Sequence, residues 1–193
     1  MSLRFASLSG AAIGEVIDGL AALRIAVFRD WPYLYEGDTA YERDYLQVYR
    51  NNARAVIAAA FDGDRLAGAA TGLPLADADP GFQGAFEGQD ISDIFYCAES
   101  VLLPAYRGQG AGHRFFDLRE DHARGLGFRR ACFCGVIRPA DHPARPPDYS
   151  PLDAFWRKRG YAPLPGVVAH FGWRDLGAQE ETAKPMQFWM RDL

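Results

Sequence analysis

The chain has 193 residues, of which 49% are hydrophobic and 24% charged, so it can bury the core of one domain, residues 1–193. Its formal net charge is −4 at pH 7, without the basic surplus typical of nucleic-acid binding, so no nucleic-acid partner is expected. With no run of 18 apolar residues, no signal-peptide pattern and three cysteines, the sequence predicts no membrane partner, reduced thiols and a cytoplasmic location.

The first elements predicted are a strand over residues 3–8 and a helix in which apolar residues recur at helical spacing from Ile13 to Val27. The segment "DWPYLYEGD" breaks this helix with Pro32 and Gly37 and is unusually aromatic for a loop. A second, more polar helix is predicted over residues 39–51.

The middle of the chain predicts a hairpin, a long loop and one strand. The segments "ARAVIAAAF" and "RLAGAATGLPL" are joined by the turn signal Asp62-Gly63, residues 76–90 form the loop, and residues 91–103 form the strand. A helix follows over about 110–124, then the strand "RRACFCGVIR", a short helix in "SPLDAFWRKRG", and the strands "GVVAHFGW" and "KPMQFWMRD". Helices alternate with strands in the middle of the chain, and hairpins are predicted toward both of its ends. This pattern indicates an α/β fold with a mixed sheet.

The turn "AYRGQGAG" lies between a predicted strand and a predicted helix. Its three glycines free backbone N–H groups to surround an anion, and the following helix adds the positive end of its dipole. An ordinary tight connection explains the glycines equally well. The turn lacks the Gly-Lys-Ser/Thr of a Walker A loop and the spacing of a Rossmann fingerprint, which excludes both nucleotide motifs.

The segment "VLLPAYRGQGAG" resembles the acetyl-CoA loop of the GCN5-related N-acetyltransferases (GNAT), whose pattern is Arg/Gln-x-x-Gly-x-Gly/Ala. The later segment "AFWRKRGY" and the order of elements resemble the same family. The resemblance implies the GNAT fold, with a central mixed sheet of six or seven strands flanked by about four helices. It also implies acetyl-CoA as cosubstrate and no metal.

The resemblance assigns the cofactor contacts residue by residue. The backbone of Val101, Leu102 and Leu103 would bind the pantetheine arm, and the N–H group of Leu102 or Leu103 would polarise the thioester carbonyl. The pyrophosphate would bind the turn, formed by Arg107, Gly108, Gln109, Gly110, Ala111 and Gly112. Two parallel strands, those of "AESVLL" and "ACFCGV", would splay apart to admit the thioester.

Acid–base chemistry is expected because attack on a thioester requires a neutral amine. Glu99 is the leading base, since a mid-strand carboxylate among apolar neighbours has a raised pKa, although a solvent-facing or ion-paired Glu99 is an open alternative. Asp93 is the second candidate base, by the resemblance. Many members of the family have a tyrosine that protonates the departing thiolate. This chain has Trp156 at that position, so Tyr149 or solvent is left as the general acid. Acyl transfer through Cys97 is the less favoured route.

The aromatic loop supplies the candidate acceptor site, because in this fold the first two helices and their connection roof the acceptor pocket. Trp31, Tyr33 and Tyr35 would enclose an amine, or else pack the helices onto the sheet. A small-molecule amine is slightly favoured over a protein as the acceptor. A CoA thioester with an acyl chain longer than acetyl is an open alternative for the donor. The alternative function is a GNAT-fold protein that binds or senses CoA without turnover. A homodimer is also open, because Phe188 and Trp189 are expected to point to opposite faces of the last strand and one of them could form either a dimer contact or a contact between elements.

Overall fold

The computed structural model describes residues 3–193, in which eight strands form one mixed sheet. Seven follow the order β1-β2-β3-β4-β6-β8-β7, and β5 pairs with β3 beyond the end of β4. All the pairs are antiparallel except β4 with β6. The strands are β1 Arg4–Leu8, β2 Val56–Asp62, β3 Arg65–Pro74, β4 Ile94–Tyr96, β5 Ser100–Leu102, β6 Arg130–Val136, β7 Ala162–Arg174 and β8 Glu181–Asp192.

Helices cover both faces of this sheet. They are α1 Ile17–Phe28, α2 Thr39–Arg50, the one-turn α3 Pro80–Gln83, α4 Ala111–Gly125 and α5 Asp153–Lys158. The apolar residues of α1 and α2 share one core cluster, which includes Phe188 of β8. Residues of α4 and α5 pack on the other face, against Phe133 of β6 and Trp189 of β8. The fold therefore has two cores separated by one sheet, and residues that alternate along a strand belong to different cores.

The sequence predicted one strand over residues 91–103, but the structure interrupts it between Tyr96 and Ser100. Both sides of the interruption are held to Thr71 of β3: the N–H of Ala98 donates to the Thr71 carbonyl, and the Thr71 N–H donates to the carbonyl of Glu99, each at 3.0 Å. The interruption creates two strands, which explains why the sheet has eight strands instead of six or seven.

A buried arginine from α4 stabilises the interruption. Arg119 is 1% exposed, and its Nη1 donates at 3.2 Å to the carbonyls of both Thr71 and Glu99, while Nη2 donates at 3.0 Å to Ser100 Oγ. Carbonyl groups at an irregular, buried segment need such donors because water does not reach them. Arg119 thus ties the helix that follows the glycine turn to the broken strand.

Two further expectations from the sequence need correction. The loop over 76–90 contains the helix α3, which begins at Pro80 with Asp79 capping the N–H of Gly81. The strand β7 begins at Ala162, because a register shift between Pro163 and Val168 lets it pair with β8 on both sides of the irregularity. Phe188 and Trp189 point to opposite faces as expected, and each is buried in contacts between elements of the chain.

No helix among residues 3–193 combines the length and the apolar character needed to cross a bilayer.

Gly68 of β3 lets β5 approach closely, which yields a test of the fold. A Cβ at Gly68 would lie 2.5 Å from Leu102 Cδ1 and 2.9 Å from the Val101 carbonyl oxygen. We expect Gly68→Ala to lower the free energy of unfolding by about 1–3 kcal/mol, measured by urea denaturation. The control is Gly84→Ala, whose Cβ would meet no atom within 4 Å. Equal stability of the two variants would contradict this packing.

Candidate active site

The glycine turn presents a row of free backbone donors at the start of α4. Gly108 has φ +74° and Gly110 has φ +83°, a left-handed conformation that other residues rarely adopt. Among the described residues, none accepts a hydrogen bond from the N–H groups of residues 108–112. A Cβ at Gly108 or Gly110 would meet no atom within 4 Å, so the space in front of these donors is open. Such a row at a helix N-terminus fits a diphosphate.

In β5, the backbone N–H and C=O groups of alternate residues point toward β3, and those of the residues between them point away from it. The Leu103 N–H donates to the Ala67 carbonyl at 3.0 Å, and Val101 lies opposite Ala69 in the same ladder. The Leu102 backbone therefore faces the other way, where its carbonyl accepts from Arg107 Nε at 3.2 Å. This corrects the assignment of Leu103 as a donor to the thioester, and equally removes the backbone of Val101 from the set facing the cofactor.

The expected gap between parallel strands is present. β6 pairs with β4 only from Arg130 to Cys132, and β5 pairs with β3 alone. The second half of β6 therefore lacks a strand partner on the side of β5, within the part of the chain that the structure describes. The gap begins at the interruption in the middle strand and faces the Leu102 backbone.

A cavity of about 430 Å³ ends at this gap. Ala98 and Glu99 of the interruption and Cys134 of β6 line it, as do residues of α1, α2 and the β7–β8 hairpin. Its wall is largely aromatic, formed by Phe28, Tyr33, Tyr35, Tyr41, Tyr45, Phe82, Tyr96, Phe171 and Trp173. The cavity thus joins an apolar wall to a carboxylate beside the gap, a combination typical of small-molecule sites.

The deepest polar group of the cavity is a buried arginine between two glutamates, here called the Arg24 triad (Arg24, Glu42 and Glu99). Arg24 Nε binds Glu42, and Nη1 lies 2.6 Å from Glu99 Oε1. The side chain of Glu42 is fully buried and that of Glu99 is 9% exposed. Burial by itself would lower the pKa of Arg24, but the two carboxylates outweigh it, and the pKa is well above its usual value. In the triad, two carboxylates therefore share one guanidinium group.

The sequence profile of the acetyltransferase (GNAT) family matches residues 20–161. The chain belongs to the GNAT family. No match was found among curated protein sequences. Among solved structures, it is similar to a ribosomal-protein-alanine N-acetyltransferase from Brucella melitensis, with 15% identity, a TM-score of 0.63 and full coverage of both chains.

Two other solved structures show the same GNAT fold. An N-acetyltransferase from Staphylococcus aureus Mu50 has 11% identity and a TM-score of 0.62, covering 100% of this chain and 99% of that one. A GCN5-related N-acetyltransferase from Kribbella flavida has 16% identity and a TM-score of 0.59, covering 99% of this chain and 98% of that one. At these identities the likeness concerns the fold.

In this GNAT chain, the structure separates the three aromatic residues expected at the acceptor site. Tyr33 and Tyr35 line the cavity, whereas Trp31 does not and instead packs against His142 and Tyr149, with ring centroids 5.0 and 5.9 Å apart. Burial raises the pKa of Tyr33 and, with help from Glu42, the pKa of Tyr35, so both phenols stay neutral at physiological pH.

The loop that carries Tyr33 and Tyr35 is held by the β7–β8 hairpin. Arg138, just after β6, bridges the loop to the hairpin. Its Nη2 donates to the Tyr33 carbonyl at 2.7 Å, and its Nη1 and Nη2 each donate to one carboxylate oxygen of Asp175 at 2.8 Å. Trp173 Nε1 donates to the same Tyr33 carbonyl at 2.9 Å. These bonds fix the roof of the cavity to strands that lie about 140 residues later in the sequence.

Of the other residues expected to be catalytic, only Glu99 lines the cavity. Asp93 lies at the far end of β4, bound to Arg129 and Arg130, and the hydrogen bond from Arg130 lowers its pKa. Tyr149 lies on the loop after β6, outside the cavity, with the Arg145 guanidinium over its ring, and burial raises its pKa. The structure therefore does not bring Asp93 or Tyr149 to Glu99.

The thiols have raised pKa values and are poor nucleophiles here. Cys97 is 1% exposed and belongs to the core on the α4 side of the sheet, away from the cavity, and burial raises its pKa. Cys134 reaches the cavity, but burial raises its pKa to about 12 and its Sγ lies 3.2 Å from the Tyr96 hydroxyl. A thiolate is the reactive form of cysteine, so transfer through Cys97 is not supported.

Arg24 is the main residue that reading the sequence missed. A signal was present: Arg24 falls four residues after Leu20 and four before Phe28, on the buried face of α1. A charge in the middle of an apolar helical stripe is rarely left unpaired, so it predicts a buried partner. The sequence does not name that partner, since Glu42 and Glu99 come from other elements.

The Arg24 triad predicts a large loss of stability when its cation is removed. Arg24→Met would leave two buried carboxylates without their cation, and we expect the free energy of unfolding at neutral pH to fall by about 3–5 kcal/mol.

Denaturant unfolding of the native protein and the variant measures this loss. The control is Arg43→Met, because Arg43 pairs with Asp18 at the surface, where an ion pair contributes only about 0–1 kcal/mol. A loss for Arg24→Met no larger than that for Arg43→Met would contradict the buried triad.

Proposed function

We propose that this protein transfers an acetyl group from acetyl-CoA to a primary amine, by direct attack within a ternary complex. One observation carries the proposal: the acceptor cavity ends at Glu99, beside the gap onto which the Leu102 backbone opens. An amine in the cavity and a thioester in the gap would meet at the interruption of the middle strand. Positioning of this kind accounts for much of the rate of a two-substrate transfer.

The glycine turn supports acetyl-CoA as the acyl donor. The free N–H groups of residues 108–112 and the N-terminus of the 15-residue helix α4 would hold the diphosphate. Arg107 is exposed next to them and adds a positive charge. Acetyl-CoA, when bound, supplies the activated thioester.

Glu99 would remove the proton from the acceptor nitrogen, directly or through one water molecule. Its side chain is 9% exposed, and its partner Arg24 keeps one carboxylate oxygen oriented at the inner end of the cavity. The Leu102 N–H, which faces the gap, would donate to the thioester carbonyl oxygen as negative charge develops there. Because Tyr149 lies outside the cavity, we assign the proton of the departing thiolate to solvent.

The ion pair between Glu99 and Arg24 favours a second candidate function, a protein that binds CoA without turnover. A base held by a buried guanidinium is less available to an amine. Release of free thiol from acetyl-CoA in the presence of a panel of amines separates the two functions.

The turn is tested by acetyl-CoA affinity. We expect Gly110→Val to weaken binding about tenfold or more in isothermal titration, because valine resists φ +83° and its side chain occupies the space in front of the amides. The matched control is Gly88→Val, at φ +77° in the loop before β4, which should leave the affinity unchanged. Equal weakening in both, or no binding to the native protein, would overturn the assignment.

The base is tested by turnover. We expect Glu99→Gln to lower kcat about 10²–10⁴-fold at neutral pH, while the dissociation constant of acetyl-CoA stays unchanged, because glutamine keeps the shape of the side chain but accepts no proton. Thiol release under saturating acetyl-CoA measures the rate. If Glu99→Gln keeps the full kcat and Asp93→Asn instead lowers kcat by about 10²–10⁴-fold, the base is Asp93.

A further inference from the structure

The cavity carries carboxylates at two depths. Five carboxylates and two guanidinium groups are found among the described residues that line it. Glu42 and Glu99 are buried at the inner end, in the Arg24 triad. Glu36, Asp38 and Glu181 are exposed at the opening and are here called the acidic rim. Arg174 pairs with Glu36 at 3.1 Å, which leaves Asp38 and Glu181 as the carboxylates of the rim with no ion pair among the described residues.

The triad holds two carboxylates but one cation. Arg24 is the cation that faces both Glu42 and Glu99 among the described residues, and the Glu99 side chain stays 9% exposed. Buried carboxylates are nearly always paired with a cation, because desolvation of an unpaired charge is costly. An ammonium group in the cavity beside Glu99 would supply a second cation.

Arg24 does not make the inner end a site for anions. Its guanidinium carbon lies 4.5 Å from the ring centroid of Tyr45 and 5.1 Å from that of Phe28, so both rings lie against it. Two of its nitrogens already face carboxylates. An acceptor carboxylate placed here would add a third negative group to the triad, which disfavours acceptors such as amino acids.

The aromatic wall of the cavity fits a methylene chain. Phe82 and Phe171 stack in parallel with ring centroids 5.1 Å apart, and the Tyr33 ring centroid lies 5.9 Å from that of Trp173. These rings line the same cavity as the triad and the rim and can bury CH₂ groups, while their π-faces also attract a nearby cation.

We propose that the acceptor is a linear aliphatic diamine, an inference that rests on the proposed acetyl transfer. Its reacting amine would lie at Glu99, its methylene chain along the aromatic wall, and its second ammonium between Asp38 and Glu181. In the transfer, a bond forms between the amine nitrogen and the carbonyl carbon, and the C–S bond breaks. Glu99 accepts the proton lost by the nitrogen, the thiolate is protonated by solvent, and the second ammonium is unchanged.

The test compares diamines with monoamines of the same chain length. Thiol release would be measured for putrescine against n-butylamine and for cadaverine against n-pentylamine, with phenethylamine as an aromatic monoamine. We expect kcat/KM for a diamine to exceed that of its monoamine about tenfold at low salt, corresponding to about 1.4 kcal/mol for the second charge. The ratio should fall as salt is added, because the rim is exposed.

Variants of the rim locate the second charge. Asp38→Asn combined with Glu181→Gln should bring the diamine-to-monoamine ratio close to one. The asparagine keeps the side-chain oxygen with which Asp38 accepts the Tyr41 N–H at the start of α2, so the helix is preserved. The control is Glu180→Gln, an identical charge change at an exposed residue that does not line the cavity, and it should leave the ratio unchanged.

Direct titration of the CoA-bound protein with the same amines separates failure of this inference from failure of the proposed function. Tighter binding of the diamine supports the inference even where no thiol is released. Equal binding of diamine and monoamine, preference for phenethylamine, or binding of none of them overturns it. Turnover of monoamines alone would leave the proposed acetyl transfer intact and would exclude the diamine.

Discussion

The site depends on the interruption of the middle strand between Tyr96 and Ser100. A continuous strand would pair with β6 along its whole length and leave no gap. Backbone polar groups released by such a break must find other partners, and here Thr71 and the buried guanidinium of Arg119 supply them. Because Arg119 belongs to α4, the same contact fixes the helix that begins at the glycine turn. The turn, the gap and Glu99 are therefore held as one unit.

The second constraint is charge inside an apolar cavity. The Arg24 triad places three ionised side chains where water is largely excluded, and such groups contribute to stability only when all are paired. Two carboxylates share one guanidinium, so the charges of the triad do not balance. A buried ion pair is weak evidence for a stabilising role, because desolvation of the charges offsets much of their attraction.

The cavity is assembled from segments that are distant in the sequence. Helices α1 and α2 carry the triad arginine and one glutamate, the broken strand carries the other glutamate, and the β7–β8 hairpin carries Phe171 and Trp173. Arg138 holds the aromatic loop against that hairpin through Asp175 and the Tyr33 carbonyl. The wall of the cavity thus includes C-terminal residues that lie outside the matched family region of residues 20–161.

The sequence by itself determined the order of elements, the glycine turn and Glu99 as the leading candidate base, because periodicity and glycine conformation are local properties. It did not predict the break in the 91–103 strand, because the groups that stabilise the break, on Thr71 and Arg119, are remote in the sequence. Only the tertiary structure paired Arg24 with Glu42 and Glu99, turned Leu103 toward β3 and left Tyr149 outside the cavity. Each of these features depends on contacts between residues that are distant in the sequence, and the packing of the whole chain decides which of them are in contact.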